Sequence, residues 1–165
     1  MKTRMLFVLL VLLCVGMIAS AENNRKQYQS IEVQQFDVKN GIQFPDDYRT
    51  SLQSDLHDQL QKLNTFNVRM MESSDAASDQ KTMRITGQIT EYHPGSKTAR
   101  ALFGMLAGTT TVKAHIQVFD ATDGSLLFED DVDGKVTYWS PDQDSKGATE
   151  GLAKEVAKKI KKRFA

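Results

Sequence analysis

Two alternating stretches joined by a turn signal constrain the fold of this chain more than any other feature. The apolar positions before the turn are Val112, Ala114, Ile116 and Val118, and those after it are Leu126, Phe128, Val132 and Val136. Asp123-Gly124 lies between them. Because alternate residues of a strand share one face and Asp-Gly favours a tight turn, this segment predicts a β-hairpin with one apolar face.

Two stretches with helical spacing are suited to cover such a sheet. The first follows Pro45-Asp46-Asp47, ends near Asn64 and repeats apolar residues at Tyr48, Leu52, Leu56, Leu60 and Leu63. The second begins near Gly147 and places Ala148, Leu152, Val156, Ile160 and Phe164 on one stripe, with Lys154, Lys158, Lys161 and Lys162 outside it. Both stretches predict amphipathic helices that pack on the sheet.

Three further patterns predict the remaining strands. The first strand contains Ile31, Val33, Phe36 and Val38, with a bulge where the alternation slips at Gln34-Gln35; the second contains Phe66, Val68 and Met70, and the third spans 82–92. A strand, helix and strand in succession normally cross over right-handed, so the first two strands should be parallel. The expected fold is α+β, a two-layer sandwich with a mixed, mostly antiparallel five-stranded sheet and two helices on one face, in the order β-α-β-β-β-β-α.

The N-terminal residues have the three-part layout of a secretory signal peptide. Lys2 and Arg4 precede the apolar run 5–18, and Ala19-Ser20-Ala21 follows it. The run is shorter than the ~20 apolar residues that a spanning helix needs, so cleavage after Ala21 is expected rather than a retained anchor. The predicted organisation is a signal peptide at 1–21, a flexible arm at 22–29 and a single α+β domain at 30–165.

Cys14 allows a second interpretation of this leader, in which it is the lipidated cysteine of a bacterial lipoprotein. Val11-Leu12-Leu13 precedes it, and a bulky Leu13 fits poorly in a peptidase that accepts small side chains. Cleavage after Ala21 removes this single cysteine, so the stability of the mature chain would come from packing rather than from disulfides. We expect an exported protein of the periplasm, with outer-membrane association as an open alternative.

The charge balance argues against a nucleic-acid partner. Without residues 1–21 the chain keeps 19 basic residues, which is 21 minus Lys2 and Arg4, against 21 acidic ones. Acids gather in 120–144 and bases in 152–165. We interpret these as a solvated hairpin edge and the outer face of a helix, although the basic tail could also attract anionic lipid headgroups or acidic polymers.

Catalytic signatures are scarce. The sequence has no G-x-S-x-G, H-E-x-x-H, Walker or G-x-G-x-x-G motif, and His57, His93 and His115 are its three histidines. Ser78 and Lys81 match S-x-x-K, in which a lysine activates a serine, but they lie in a polar stretch that predicts an exposed loop. An enzyme is therefore less expected than a binding protein, and no cofactor is predicted.

A weak alternative to the metal-free prediction is a calcium site in residues 129–134. Glu129, Asp131 and Asp133 place oxygen ligands at alternate positions, and Gly134 takes the sixth place of a calcium loop. Ser140 stands where a bidentate Glu belongs. Alternating acids on the solvent face of a strand explain the same spacing without an ion.

An apolar, Gly-rich insert before the hairpin is the candidate interaction patch. Its residues are Arg100, Leu102, Phe103, Gly104, Met105, Leu106 and Gly108. A polar loop is expected between two strands, so an exposed apolar insert would mark a contact surface. The same side chains could instead fold back and close the end of the core, and the sequence favours neither arrangement.

Two runs of residues resemble a known bacterial family. They are Gly87-Gln88-Ile89-Thr90-Glu91-Tyr92 and Val112-Lys113-Ala114-His115-Ile116-Gln117-Val118-Phe119-Asp120, with Gly95, Arg100, Gly104, Gly108 and Gly124 at fixed places around them. The pattern is similar to an exported domain-of-unknown-function family, DUF4410. The resemblance implies a small envelope protein, often a lipoprotein, shaped like the N-terminal domain of the Tol-system periplasmic propeller protein and the curli secretion lipoprotein.

The first functional hypothesis is a non-catalytic cell-envelope protein that acts by protein or membrane contact. Its partner would be an unknown envelope protein, a second copy of the chain or a membrane surface. The alternative is a soluble ligand-binding domain with a cleft between the sheet and loop 93–108, in which Arg100 holds an anionic group. A hydrolase is the third and least expected class.

Overall fold

A computed structural model of the protein describes residues 28–71, 81–96, 109–136 and 147–165. Its elements follow the order β1-β2-α1-β3-β4-β5-β6-α2. The strands are β1 (Ser30–Val33), β2 (Asp37–Val38), β3 (Asn67–Met70), β4 (Thr82–His93), β5 (Thr110–Asp120) and β6 (Leu126–Val136), and the helices are α1 (Asp46–Gln61) and α2 (Gly147–Phe164). The predicted signal peptide with Cys14, the insert 100–108 and Ser78 lie outside the described residues.

The described strands form one mixed sheet in the order β3-β1-β4-β5-β6, with β2 also paired to β4. The predicted parallel pairing of β1 with β3 is confirmed. The expectation of a mostly antiparallel sheet was wrong, because β1 and β2 also run parallel to β4, and only the β4–β5 and β5–β6 pairs are antiparallel. Strand β1 lies inside the sheet between β3 and β4, and both of these neighbours run parallel to it.

The predicted first strand is interrupted where its alternation slips. Val33 pairs with Ile85 and Asp37 pairs with Gln88, so three residues on one strand face two on the other. This is the expected bulge, and it divides the strand into β1 and β2. Phe36, in the interruption, turns its ring into the core and is 2% exposed.

The β5–β6 hairpin forms, but Leu126, predicted on its apolar face, is 48% exposed because the register shifts between Val118 and Phe119. Ala114 pairs with Val132 and Val118 with Phe128 in an antiparallel ladder. Gly124 supplies the positive φ of the turn, at 73°. In β5 the buried residues alternate with the more exposed Thr111, Lys113, His115 and Gln117, so one face of the hairpin is apolar and the other is polar.

Both predicted helices are confirmed and pack on the same, apolar face of the sheet. Leu52, Leu56 and Leu60 are the buried stripe of α1, which ends before Asn64 adopts a φ of 52°. The buried stripe of α2 contains every position predicted for it. Helix α1 contacts β1 and β3, α2 contacts β5 and β6, and the two helices contact each other.

Gly134 allows α2 to approach the backbone of β6. A Cβ atom at this position would lie 2.3 Å from the carbonyl oxygen of Ala148 and 2.4 Å from the backbone nitrogen of Leu152. No side chain fits between atoms this close, so the start of α2 rests directly on the strand. The glycine that resembled part of a calcium loop is therefore explained by helix packing.

The domain begins earlier than the predicted boundary at residue 30. Tyr28, assigned to the flexible arm, is 8% exposed and donates a buried hydrogen bond of 2.9 Å from Oη to Oδ2 of Asp120. Its ring also packs edge-on against Phe164, at a centroid separation of 6.3 Å. We call this end of the molecule, where residues 1–27 join the domain, the arm end.

Candidate functional site

The predicted interaction patch joins the domain at the end opposite the arm end. Strand β4 runs from Thr82, beside the arm, to His93, and β5 returns from Thr110. The backbone nitrogen of Gly95 donates a 2.8 Å hydrogen bond to Oγ1 of Thr110, which holds the two attachment points together. The patch residues lie outside the described residues, so Arg100 and Leu102–Gly108 stay a prediction, but we can name this side of the molecule the insert end.

The sheet face opposite the helices is open and polar in the described part of the chain. Gln34, Gln88 and Gln117 line a shallow groove on it, together with His115 and neighbouring residues of β2 and β4. Charged side chains also cross this face in pairs, such as Arg84 with Glu32 at 3.2 Å. The surface is broad and shallow, whereas a small-molecule site encloses most of its ligand.

His115 is the centre of one charge cluster on this face. Its Nδ1 lies 2.8 Å from Oδ1 of Asp131 and its Nε2 lies 3.5 Å from Oε2 of Glu129, both on the adjacent strand β6. The hydrogen bond with Asp131 raises the pKa of His115, and the charges of both carboxylates add to this effect. The cluster therefore favours the charged imidazolium form of His115.

Lys113 is the centre of a second cluster near the insert end. Its Nζ lies 2.5 Å from Oε2 of Glu91, and Oε1 of the same carboxylate lies 2.6 Å from Nε2 of His93. The hydrogen bond with Glu91 raises the pKa of Lys113, and Lys113 in turn lowers the pKa of Glu91. The sequence placed His115 and Lys113 on the outer face correctly, but it did not show which acids they meet, because strand register decides this.

The calcium alternative gains no geometric support. Glu129, Asp131 and Asp133 lie in an extended strand rather than a loop, and Asp133 pairs with Lys135 at 2.8 Å. Across the described residues, no group of three His, Cys, Asp or Glu side chains is arranged to hold a metal ion.

The remaining candidate residues also have structural partners. Lys81, the lysine of the S-x-x-K match, places its Nζ 5.9 Å from the ring centroid of Tyr28. His57 contacts Asp58 and Gln61 on the outer side of α1, at 3.3 Å in each case. These contacts are ordinary surface pairings and assemble no reactive group.

The two helices carry opposite charges at opposite sides of the molecule, a feature that reasoning from separate sequence segments missed. Helix α1 has four aspartates against Arg49, and it lies over the β3 side of the sheet. Helix α2 has six basic residues against Glu150 and Glu155, and it lies over the β6 side. A count of charges per predicted helix would have found the opposition, but only the strand order shows that the two helices lie over opposite sides of the sheet.

In the described residues, neither helix has the length and apolar character needed to cross a membrane. Residues 31–138 match the model of a family described as Domain of unknown function (DUF4410). No curated protein matches the chain in sequence.

Several solved structures share the fold at low sequence identity. The PelC dodecamer from Paraburkholderia phytofirmans aligns with a TM-score of 0.57 and 13% identity over 84% of this chain and 91% of that one. Protein XCC0632 from Xanthomonas campestris, of the DUF330 family, aligns with a TM-score of 0.51 and 8% identity over 82% of this chain and 83% of that one. The hypothetical protein CT253 from Chlamydia trachomatis aligns with a TM-score of 0.52 and 8% identity over 82% of this chain and 95% of that one. These likenesses show the fold alone, and neither they nor the matching family model indicate a catalytic family.

Proposed function

The chain belongs to the DUF4410 family, as its sequence pattern predicted, and on this premise we propose that it is a non-catalytic protein of the cell envelope that acts by contact with other protein chains. The signal-peptide pattern of residues 1–21 supports export to the periplasm. The likeness to the Tol propeller domain and to the curli lipoprotein stays a prediction.

The opposed charges of the helix layer carry this proposal. If a second copy of the chain lies beside the first in the same orientation, the basic α2 of one copy meets the acidic α1 of the next. Strand β6 then faces β3, and both are edge strands of the described sheet, with backbone groups available for pairing. Such a contact is heterologous, and it closes into a ring when the rotation between copies allows. PelC forms a dodecamer, which makes a second copy of this chain the first partner to test.

The polar pairs of the open sheet face favour a macromolecular partner over a small ligand, since the described residues of this face present a broad surface without an enclosed cavity. The insert at 100–108 remains the proposed apolar part of the contact. Self-association that is lost in the double variant Leu102→Asp, Phe103→Asp, with the circular dichroism unchanged, would support it. Unfolding of that variant would instead assign these side chains to the core.

Charge reversal on each helix tests the head-to-tail contact directly. We expect Asp47→Lys with Asp58→Lys on α1 to weaken self-association, and Lys154→Glu with Lys158→Glu on α2 to weaken it as well. The first variant changes the net charge of α1 from −3 (Arg49 against four aspartates) to +1, which repels the basic α2; the second changes that of α2 from +4 (six bases against Glu150 and Glu155) to 0, which removes its attraction to α1. In an equimolar mixture, the unaltered α2 of the α1 variant meets the unaltered α1 of the α2 variant with opposite sign. The two altered helices then meet each other, lysines against glutamates, so assembly should return.

Sedimentation velocity at low and high salt is the measurement. Wild-type assembly should weaken as salt screens the charges. A chain that is monomeric at high micromolar concentration and low salt, or a mixture that fails to reassemble, contradicts the self-contact. Crosslinking in cells from Gln117 on the open face, compared with Ser54 on α1, then decides whether a different protein is the partner.

A further inference from the structure

The arm end of the molecule is positively charged and lies where residues 1–27 join the domain. The last turn of α2 contains Lys161, Lys162 and Arg163. Phe164 follows them directly and packs against Tyr28. Lys81 projects over the same Tyr28 ring from the start of β4. Four cationic side chains therefore surround the point where the N-terminal segment enters the domain.

These cations are available to an external anion. Within the described part of the chain, Lys161 and Lys162 form no ion pair, in contrast to Lys154, Lys158 and Lys159 on the earlier turns of the same helix. Both are exposed. A C-terminal helix turn favours cations for its own stability, but that effect leaves their ammonium groups in solvent.

Two acids of the described residues, Asp120 and Asp123, lie at this end. Asp120 is buried; burial alone would raise its pKa, but the hydrogen bonds from the backbone nitrogen of Thr122 and from Tyr28 outweigh burial and lower it. Asp123 accepts a 2.8 Å hydrogen bond from the backbone nitrogen of Ser125 in the hairpin turn. Both carboxylates stay ionised, so the four cations of this end stand against two negative charges and leave the arm end net basic.

An apolar side chain accompanies the charges. Leu126 starts β6 beside the hairpin turn and is 48% exposed, one of two large apolar side chains among the described residues that are so open to solvent. Arg163 lies over the ring of Phe128, two residues further along, at 5.0 Å from the centroid. Lysines and arginine around an exposed leucine are the side chains that an anionic bilayer surface attracts and buries.

We propose that the arm end docks on a bilayer surface that contains anionic phospholipid headgroups. The predicted signal peptide supports a lipid occupant over a soluble acidic protein, because its apolar run at 5–18 would bring this end of the chain to a membrane during export, before cleavage. Docking in this way turns the insert end away from the membrane, toward protein partners. The proposal uses different residues from the head-to-tail contact and does not depend on it.

Vesicle sedimentation tests the proposal with the exported protein carrying its own N-terminus. Phosphatidylcholine vesicles with about one-third phosphatidylglycerol should bind the protein, and pure phosphatidylcholine vesicles should bind it far less. Since each lysine near an anionic surface contributes roughly fivefold in partitioning, Lys161→Gln with Lys162→Gln should lower binding by about 25-fold. Lys154→Gln with Lys158→Gln makes the same change in net charge, but these lysines lie farther from the arm end and already pair with Glu150 and Glu155. Because attraction to a charged surface falls off within about one Debye length, this change should lower binding by less than about threefold.

A second readout reports orientation and does not depend on affinity. An environment-sensitive dye on Leu126→Cys should shift its emission when anionic vesicles are added, whereas the same dye on His93→Cys at the insert end should not. Equal losses in the two lysine double variants, equal binding to neutral vesicles, or a dye shift at residue 93 alone would each overturn the docking. So would binding to a soluble polyanion such as polyphosphate without binding to vesicles.

Discussion

The contact between α2 and β6 at Gly134 gives the sharpest prediction of stability. A Cβ atom at this position would lie 2.4 Å from the backbone nitrogen of Leu152 and 2.3 Å from the carbonyl oxygen of Ala148. Ordinary contacts begin near 3.4 Å, so Gly134→Ala would require the first turns of α2 to move by about 1 Å. These turns are helix backbone and carry buried side chains, so no flexible group can yield in their place.

We expect Gly134→Ala to lower the free energy of unfolding by about 3 kcal/mol, the upper part of the range for overpacked cores. For a domain of this size, that loss corresponds to a fall in Tm of roughly 6 to 12 °C. Urea unfolding followed by far-ultraviolet circular dichroism measures it. The slope of the transition should not change, because the surface exposed on unfolding is nearly the same.

Gly151→Ala is the matched control from the opposite side of the same contact. Its Cβ would lie 3.1 Å from the carbonyl oxygen of Lys135, a distance that a shift of a few tenths of an ångström relieves. Alanine also favours a helix over glycine by about 1 kcal/mol, so the net effect should be within about 1 kcal/mol of zero. A Gly134→Ala protein as stable as the Gly151→Ala protein would refute the close approach of helix and strand.

Three further substitutions test other parts of the structure. Gly87→Ala should cost about 1 to 3 kcal/mol in urea unfolding, because its Cβ would lie 2.5 Å from the buried ring of Phe36; an unchanged midpoint would contradict that packing. Tyr28→Phe should cost about 1 to 2 kcal/mol by removing the hydrogen bond to Asp120, and it should abolish the phenol titration whose pKa burial raises to about 12, as followed by ultraviolet absorbance. His115→Gln should lower the free energy of unfolding by less than about 1 kcal/mol below pH 6 and should leave it unchanged at pH 8. The pKa of this histidine is raised in the folded state, so its contribution to stability is complete below the pKa of the unfolded state and disappears as the pH rises through the folded-state pKa. An equal loss of stability at both pH values would exclude the ion pair.

Local periodicity predicted the elements well because it records which side of each element is buried. The stripe from Ala148 to Phe164 and the alternation from Val112 to Val118 each identify one apolar face, and the structure buries both. The bulge near Gln34 was also visible, since an inserted residue shifts the alternation. The sequence missed features that depend on residues far apart in the chain. Examples are the parallel pairing of β1 with β4 and the hydrogen bond between Tyr28 and Asp120.

The sequence by itself determined the family, the hairpin, the two amphipathic helices and the buried faces of α2 and β5, because these follow from residues close together in the chain. Only the tertiary structure decided that β1 lies between two parallel neighbours, that His115 meets Asp131, and that Gly134 makes room for α2. It also decided that an acidic and a basic helix lie over opposite sides of one sheet, with a basic arm end opposite the insert end. Such relations depend on strand order and register, which bring together residues far apart in sequence and leave no local periodicity.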